Sequence, residues 1–588
     1  MLEFIIKKSI KQKIQTPQDL ARIKREGAFR FGKIMPTNIQ LLKVYHKLLK
    51  KGKIKKYPAL EKLLKTRGIR TSSGVAIITV LTKPWPCPGQ CLYCPNEAGM
   101  PKSYLKNEPA AQRAFLTKFN PYLQVKTRLQ ALEMTGHSTD KIELIVLGGT
   151  WSAYPKNYQY WFIKECFRAG NDTNSKIKNQ KSKLQFKIQN LRRKLKTEQH
   201  KNETARHRIV GLTLETRPDY ITIDEIKEMR DLGCTRVELG VQSIYDDVLK
   251  KNLRGHDVAA TIYATRLLKN AGFKINYHMM LNLPGSTTKR DERMFIELFS
   301  DGRFQPDLLK IYPCSVLRTA PLYKIWKHGG FKPYSEKQLI NLILRIKQKI
   351  PSYVRIQRII RDIPGASIVA GSRLTNLRQI IHQLKGVRYP SKRYLTPFCR
   401  CIRCREIRGS YLPTDKIKLF RRDYKASDGK EIFLSFEDKK QEKLYALLRL
   451  RIPQKYNKIP PNLPLLKGGE LPPFVKEGWG GFKKSLPTLI SNSIPVLKDA
   501  ALIRELHTYG HLVPLSPERG SPAGEPSRRV NYAAQHTGLG KKLMSTAEKI
   551  AQKEFGFKKI AVISGIGVRQ YYKNLGYKLE NEYMIKKL

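Results

Sequence analysis

VAIITVLTKPWPCPGQCLYCPNE, residues 75–97, joins an apolar run rich in β-branched residues to three cysteines. The run predicts a buried β-strand, and Cys87, Cys91 and Cys94 follow it in a loop. Three thiolates at this spacing can hold one face of a cubane 4Fe-4S cluster and leave one iron without a protein ligand. That iron can bind S-adenosylmethionine (SAM), whose cleavage yields a radical. The cysteines are therefore candidate metal ligands and catalytic residues. A zinc site that lacks its fourth ligand, or a redox pair, is the alternative.

Strand patterns alternate with helical patterns from this loop to about residue 370. The further strand patterns are IELIVLGG, RIVGLTLE, RVELGVQ, INYHMML and LLKIYP. This alternation predicts parallel β/α units in a complete or partial barrel. The first of them ends in Gly148-Gly149-Thr150, where glycines allow close approach of the backbone to a ligand. Polar residues that the later patterns place where barrel enzymes bind ligands are Glu215, Arg217, Glu238, Gln242 and Ser243.

A glycine-containing turn near the C-terminus predicts a second binding site. Gln535-His-Thr-Gly538-Leu-Gly540-Lys541 follows the strand pattern ALIRELHTYG and precedes a helical pattern. Such a turn offers backbone N–H groups at a helix N-terminus to an anion. It resembles the loop by which Gcn5-related acyltransferases hold the pyrophosphate of acetyl-CoA. RQYYKNLGYKLE resembles the segment that closes their fold, with Tyr571 or Tyr572 as the hydrogen-bond donor near the thioester.

The charge of the chain is strongly unbalanced. Its 588 residues include 112 Lys and Arg against 48 Asp and Glu, a formal net charge of +64. Such a field attracts polyanions, so nucleic acid is the expected partner, with a membrane surface or simple solvation as alternatives. No apolar run reaches the roughly 18 residues that cross a bilayer, and the N-terminus lacks the features of a signal peptide. We therefore expect a cytoplasmic protein of several domains that does not enter a membrane.

Several segments together resemble one family, the catalytic subunit of Elongator and its prokaryotic stand-alone relatives. They include KTRGIRTSSGVA, TKPWPCPGQCLYCPNE, PKSYLKNEPAAQRA, RIIRDIPG, CIRCREI, AQHTGLGKKL and KIAVISGIGVRQYYKNLGY. The resemblance implies a tRNA carboxymethyluridine synthase that acts on C5 of the wobble uridine and binds the anticodon arm and body of tRNA. It also implies that a radical takes a hydrogen from the acetyl methyl of acetyl-CoA. The carbon radical then adds to the base, and thioester hydrolysis leaves a carboxymethyl group.

The resemblance also assigns roles to single residues. It makes Cys87, Cys91 and Cys94 the cluster ligands and Lys141 a contact to acetyl-CoA from the radical domain. The residues that it places along acetyl-CoA are Glu505, Leu506, His507, Thr508, Leu539, Gly540, Lys541 and Tyr572. Many relatives carry Val at the position of Thr508, which is harmless if the backbone binds the ligand.

A second cysteine group, Cys399-Arg-Cys401-Ile-Arg-Cys404, lies between the two modules. Its spacing suits a structural zinc site, with Cys314 as a plausible fourth ligand and free thiols as the alternative. The sequence carries no signature of the electron donor or of the oligomeric state.

The expected fold class is α/β: a radical SAM partial barrel followed by a Gcn5-related N-acetyltransferase domain, with a basic helical module in front. The expected parts are a tRNA-binding module at 1–70, a radical SAM domain at 71–395 with a basic insertion at 171–208, a cysteine-rich linker at 396–410, and an acetyltransferase domain at 411–588 with flexible insertions at 452–498 and 511–533. Two other functions stay open. One is a protein lysine acetyltransferase with a structural iron–sulfur cluster, and the other is a nonenzymatic tRNA-binding scaffold.

Overall fold

The structure is a computed structural model of the chain. It describes residues 1–65, 71, 73–173, 188–383, 399–408, 416–454, 493–510 and 538–588. Gln535, the insertion 511–533, most of the insertion 452–498 and residues 174–187 of the basic insertion lie outside the described residues. No described helix is long and apolar enough to cross a membrane.

The N-terminal module is helical, as predicted. Its helices are α1 (Leu2–Lys11), α2 (Pro17–Arg30), α3 (Asn38–Lys50) and α4 (Pro58–Leu64). Thr37 begins α3 with a capping box, because its side chain accepts from Gln40 N while the Gln40 side chain accepts from Thr37 N. Leu41 and Tyr45 of α3 are fully buried in a small apolar core that the four helices share. The module therefore has its own core, and its many lysines and arginines remain on its surface.

The central domain is built on a seven-stranded parallel sheet. The chain-order strands are β1 (Ala76–Leu81), β2 (Lys141–Leu147), β3 (Arg208–Thr216), β4 (Arg236–Gln242), β5 (Lys274–Leu281), β6 (Leu308–Pro313), β7 (Val316–Leu317), β8 (Arg355–Arg358) and β9 (Ile368–Ala370). The sheet order is β1-β2-β3-β4-β5-β6-β8, and β7 pairs with β9 separately. The predicted strands of this region are all present. β8 has no predicted counterpart, because its four residues RIQR contain no apolar run.

Helices cover this sheet. They are α5 (Pro109–Leu116), α6 (Pro121–Met134), α7 (Lys156–Asn171), α8 (Ile188–Asn202), α9 (Ile223–Asp231), α10 (Asp246–Lys251), α11 (Val258–Asn270), α12 (Thr288–Ser300), α13 (Leu322–Lys327), α14 (Glu336–Lys349), α15 (Leu377–Gln383) and α16 (Ile402–Arg405). β1 and β8 are the two edge strands of the sheet. The open order with helical crossovers confirms a partial rather than a closed barrel.

Part of the basic insertion at 171–208 is helical and packs on the domain. Residues 188–202 form α8, which buries Leu191 and Leu195 in the main apolar core. The charged side of α8 is paired, since Arg192 Nε lies 2.8 Å from Asp231 Oδ2. Two leucines spaced four residues apart are enough to hold this helix on the domain, although the rest of the segment is polar.

The C-terminal domain has a second, mostly antiparallel sheet. Its strands are β10 (Ile417–Lys425), β11 (Gly429–Asp438), β12 (Leu444–Pro453), β13 (Ala501–Thr508), β14 (Lys559–Val562), β15 (Lys578–Glu580) and β16 (Tyr583–Lys587), in the order β10-β11-β12-β13-β14-β16-β15. Its helices are α17 (Leu539–Lys549), continued by a π turn at Ile550–Glu554, and α18 (Arg569–Lys573).

β13 and β14 are parallel neighbours that separate along their length. They pair only through residues 501–503 of β13, whereas β12 follows β13 as far as Thr508. The second half of β13 therefore has one edge that is not paired with β14. This unpaired edge creates a cleft between the two strands.

A buried network of charges joins the two sheets. Arg504 of β13 donates from Nη1 to Asp307 Oδ1 at 3.0 Å and to Glu431 Oε2 at 2.9 Å. Lys269 Nζ lies 3.4 Å from Asp307 Oδ1, and Arg451 Nη1 lies 2.9 Å from Glu431 Oε1. Although burial would raise it, the pKa of Asp307 is held well below its usual range by Arg504 and Lys269. Because these charges are deeply buried, removing one of them leaves its partner uncompensated and destabilises the folded protein.

Replacing Asp307 by Asn tests this network. Removing one member of a buried charge network costs about 3–5 kcal/mol, so the domain boundary should unfold at a markedly lower urea concentration. The matched control is Asp301→Asn, because Asp301 pairs with the exposed Arg303 at 2.7 Å and such pairs contribute at most about 1 kcal/mol. Equal unfolding midpoints for the two variants would show that the network does not hold the domains together.

The buried ion pairs of Asp307 make the stability of the folded protein depend on pH in a predictable direction. The pKa of Asp307 is lower in the folded than in the unfolded protein, so its stabilisation is complete above the ordinary Asp range. It is lost as the pH falls through that range toward the folded-state pKa. Wild type and Asp307→Asn should therefore converge in stability as the solution is acidified.

Candidate active site

One cavity of about 1160 Å³ lies between the two sheets and is lined by both domains. The residues predicted for acetyl-CoA that line it are Lys141, Glu505, Leu506, His507, Thr508, Gly538, Gly540, Lys541 and Tyr572. Leu539 instead packs into the core of the C-terminal domain and is 8% exposed. Gln535 lies outside the described residues. The cavity also reaches Tyr93, so it extends to the loop that carries the three cysteines.

The three cysteines of the first motif lie in the loop after β1. Cys87 Sγ is 3.7 Å from Thr150 Oγ1, and Cys91 Sγ is 3.4 Å from Arg254 Nη1. Burial would raise the pKa of Cys91, but Arg254 outweighs this and lowers it. Among the described residues, the sulfur atoms of these three cysteines do not all lie within 4.8 Å of one another.

Two further observations fit a cluster at this loop. Arg217 Nη1 is buried and has no hydrogen-bond partner among the described residues, and the buried hydroxyl of Tyr93 contacts the thiol of Cys91. A Cβ on Gly89 would lie 2.5 Å from Arg217 Nη1, so this arginine presses directly on the cysteine loop. An anionic iron–sulfur cluster needs thiolate ligands, and it is stabilised by nearby buried N–H and O–H groups that can donate hydrogen bonds to it.

The glycines after β2 lead into Thr150, which contacts the cysteine loop. Gly148 has φ +142°, and a Cβ there would lie 1.8 Å from Thr82 Oγ1. Gly149 has φ +92°, which also favours glycine. Thr150 follows them and reaches Cys87. Gly148 and Gly149 therefore expose backbone near the cysteine loop, and this backbone would be available to SAM.

A group of charged side chains forms the inner wall of the cavity. His278 Nε2 lies 2.9 Å from Glu238 Oε2, and His278 Nδ1 lies 3.6 Å from Glu215 Oε1. Lys310 is ion-paired with Glu238. Burial would raise the pKa of Glu238, but Lys310 and His278 hold it well below its usual range. Of the polar residues predicted at strand ends, Glu215 and Gln242 line the cavity, whereas Glu238 is fully buried beneath it.

Sequence reasoning missed His278 and Lys310. Both lie within the apolar strand patterns INYHMML and LLKIYP, where single polar residues were attributed to no site. The sequence did contain a signal for them, because a titratable residue at an inward-facing position of a barrel strand indicates a binding or catalytic site.

The predicted anion-binding turn lies at a helix N-terminus. Gly538, with φ +82°, is the N-cap of α17, which begins at Leu539. A Cβ on Gly540 would lie 3.0 Å from the hydroxyl oxygen of Tyr571 and 3.7 Å from Thr508 Oγ1. The Tyr571 hydroxyl is buried and has no partner among the described residues. Backbone N–H groups, a tyrosine hydroxyl and the helix dipole therefore converge on one part of the cavity.

The two late tyrosines are placed differently. Tyr572 is 6% exposed, and its ring packs edge-on against Tyr577 at 6.0 Å. Tyr571 is the one whose hydroxyl faces the turn at Gly540. Both line the cavity, so both tyrosines named from the sequence remain candidates.

β13 and β2 contribute charged groups from opposite domains. Lys141 begins β2, and burial lowers its pKa to about 8. Glu505 lies 2.8 Å from Arg449 Nε and 3.6 Å from Lys274 Nζ. Burial would raise the pKa of Glu505, but Lys274 and Arg449 lower it to about 2. His507 Nε2 is 3.0 Å from the carbonyl oxygen of Ser73, so β13 also contacts the segment before β1.

The second cysteine group forms a compact site without Cys314. One ligand atom from each of Cys399, Cys401 and Cys404 lies within 4.8 Å of the others. The prediction of Cys314 as fourth ligand is wrong, because Cys314 lies in a separate apolar cluster with Val316. The sheet topology explains this. Cys314 follows the carboxyl end of β6, whereas Ile402 N, between two of the other cysteines, bonds to Val354 O just before β8, at the opposite end of the parallel sheet.

Comparisons with known proteins agree with this architecture. Residues 87–296 match the Radical SAM superfamily, and residues 306–385 match the Radical_SAM C-terminal domain. The chain is 41% identical over 602 residues to the tRNA uridine(34) acetyltransferase of Methanocaldococcus infernus, covering 100% of this chain and 98% of that protein. It is 37% identical over 550 residues to the Elongator complex protein 3 of Danio rerio, covering 90% and 87%.

A solved structure is similar over nearly the same length. The archaeal Methanocaldococcus infernus Elp3 with an N-terminal deletion (1–46) has 40% sequence identity and a TM-score of 0.65, covering 88% of this chain and 100% of that one. The likeness therefore extends over the radical SAM sheet and the C-terminal sheet together. The chain belongs to the family of tRNA uridine(34) acetyltransferases and Elongator complex protein 3, with a radical SAM domain.

Proposed function

We propose that this protein is a radical SAM enzyme that forms 5-carboxymethyluridine at the wobble position of tRNA, with acetyl-CoA as co-substrate. The observation that carries the proposal is the single cavity onto which the cysteine loop and the turn at α17 both open. A radical formed at the cysteine loop can take a hydrogen atom from acetyl-CoA only if both groups share one enclosed space. The names of the relatives support uridine 34 of tRNA as the target.

The residues around the cysteine loop would hold the cofactors. Cys87, Cys91 and Cys94 supply three thiolates, and the glycine edge at Gly148 and Gly149 leaves room for SAM. When bound, the cluster and SAM supply one-electron chemistry that removes a hydrogen atom from an unactivated carbon. The walls of the cavity exclude water from that chemistry.

The residues of the C-terminal domain would hold acetyl-CoA. The N-terminus of α17 and Lys541 would bind the pyrophosphate, and the unpaired edge of β13 at Leu506 would line the pantetheine arm. Tyr571 and Tyr572 both line the cavity, and the hydroxyl of one of them would donate to the thioester. Lys141 reaches this space from the opposite sheet, so both domains would contact acetyl-CoA.

Positive charge supports tRNA as the polymer substrate. Residues 1–70 contain 20 Lys and Arg against 4 Asp and Glu. The lining of the cavity also includes Arg113, Arg128, Arg358 and Arg361. A basic module and arginines along the cavity on one chain suit a ligand that offers phosphates at both places.

Anaerobic reconstitution with iron, sulfide, SAM, acetyl-CoA and tRNA tests the reaction. We expect 5-carboxymethyluridine in the digested tRNA and no product with Cys87→Ala, because the cluster then lacks one ligand. The matched control is Cys166→Ala, since Cys166 is buried in α7 away from the cavity. Product formation by Cys87→Ala would contradict the proposal. Full acetyl transfer to a lysine peptide by that variant would instead favour a protein acetyltransferase.

Charge reversal at α17 tests the acetyl-CoA site. Lys541 and Lys542 are both exposed, but only Lys541 lines the cavity. We expect Lys541→Glu to weaken acetyl-CoA binding about tenfold, or about 1.4 kcal/mol, in calorimetric titration. Lys542→Glu should bind within twofold of wild type. Equal affinities for the two variants would exclude this turn as the pyrophosphate site, whereas absence of acetyl-CoA binding in the wild type would favour the tRNA-binding scaffold.

We also propose that Cys399, Cys401 and Cys404 hold a structural zinc ion. Their sulfur atoms are close enough for one ion, and the Nζ of Lys347 lies 3.8 Å from Cys404 Sγ, as suits a site rich in thiolate charge.

Metal analysis tests this second site. The purified protein should contain one zinc per chain, which Cys401→Ser should lose. Cys314→Ser should retain it, because Cys314 lies at the other end of the sheet. Zinc loss in the Cys314 variant, or its retention in the Cys401 variant, would refute the assignment.

A further inference from the structure

A buried arginine contacts the cysteine loop from a neighbouring turn. Arg254 follows α10 and is 6% exposed, and its Nη1 lies 3.4 Å from Cys91 Sγ. Its Nε donates to the carbonyl oxygen of Gly240 at 3.2 Å. No step of the proposed reaction uses this guanidinium.

Arg254 has no carboxylate partner. Over the part of the chain that the structure describes, no Asp or Glu oxygen lies within 4.0 Å of it. The nearby Arg217 differs, because its Nε and Nη2 lie 2.9 and 2.8 Å from the carboxylate of Asp219. A guanidinium cannot lose its proton in a protein, and burying it without an anion is costly. The acidic group in contact with Arg254 is the Cys91 thiol, so the anion that it faces would be the group that the cysteines bind.

Close packing fixes the guanidinium in this position. A Cβ on Gly240 would lie 2.6 Å from Arg254 Nη2, so only glycine admits the side chain there. The turn that carries Arg254 is attached to the cysteine loop, because Leu92 N donates to Asn252 O at 3.2 Å. The cation therefore moves with the loop and stays beside the sulfur of Cys91.

We propose that Arg254 is a positioning residue that makes the iron–sulfur cluster easier to reduce. This proposal rests on the cluster assigned under the proposed function. Reduction adds one electron, and so one negative charge, to a centre that already carries thiolate charge. A fixed cation that donates a hydrogen bond to a ligand sulfur stabilises the reduced form more than the oxidised form. Because Arg254 is buried, that stabilisation is only weakly screened by solvent ions.

The test is the redox equilibrium of the reconstituted cluster, measured without acetyl-CoA or tRNA. Full-length protein is poised with dithionite and mediators, and the reduced cluster is counted by electron paramagnetic resonance. We expect Arg254→Gln to bind as much iron as wild type but to show an about tenfold lower ratio of reduced to oxidised cluster, equivalent to about 59 mV for one electron. Arg254→Lys keeps the charge and should remain within twofold of wild type.

The control is Arg290→Gln. Arg290 pairs with Asp247 at 2.7 Å on the surface, and its loss should leave the ratio unchanged. If the side chain only braced Gly240, Arg254→Gln would match wild type in this ratio, and the proposal would be overturned. If Arg254→Gln takes up no iron, Arg254→Lys decides: a tenfold lower ratio in that variant refutes the role of charge. Formation of 5-carboxymethyluridine is scored separately, so failure of the redox test leaves the proposed function standing.

Discussion

Arg504 and Asp307 form a bidentate ion pair inside the boundary between the two sheets. Arg504 belongs to β13, three residues before His507, and Asp307 directly precedes β6 of the radical SAM sheet. Because both groups are fully buried, neither sheet can slide or rotate without exposing an unpaired charge. The relative position of the cysteine loop and the turn at α17 therefore depends on this pair. A shared cavity is a consequence of charge pairing rather than of chain connectivity.

A second contact fixes the boundary by shape. A Cβ on Gly565 would lie 2.1 Å from the carbonyl oxygen of Val210, and one on Gly567 would lie 2.6 Å from Arg208 Cβ. The segment before α18 thus lies directly on the backbone of β3. Backbone contact of this kind tolerates no side chain, so the sequence VISGIGV encodes domain packing as much as local structure.

The sequence was most informative where chemistry constrains spacing. The cysteine loop, the glycine edge at Gly148 and Gly149 and the turn before α17 could all be predicted, because each needs particular residues at fixed intervals. The wall formed by His278 and Lys310 could not, since single polar residues in apolar strands give no periodic signal. Cys314 was misplaced for a topological reason: spacing along the chain does not tell which end of a parallel sheet a residue reaches. The packing of α8 was missed because two leucines scarcely change the composition of a basic segment.

The helix α8 also connects the two domains. Lys196 on α8 lies 2.5 Å from Glu582 Oε1, and Glu203, just after the helix, pairs with Arg569 at 3.3 Å and Lys573 at 2.8 Å. A segment that looks like a dispensable insertion is therefore ion-paired with residues of the C-terminal domain. Evolution can change the length of the chain in this region only if residues 188–203 keep their place. An engineer who trims the protein for expression faces the same restriction.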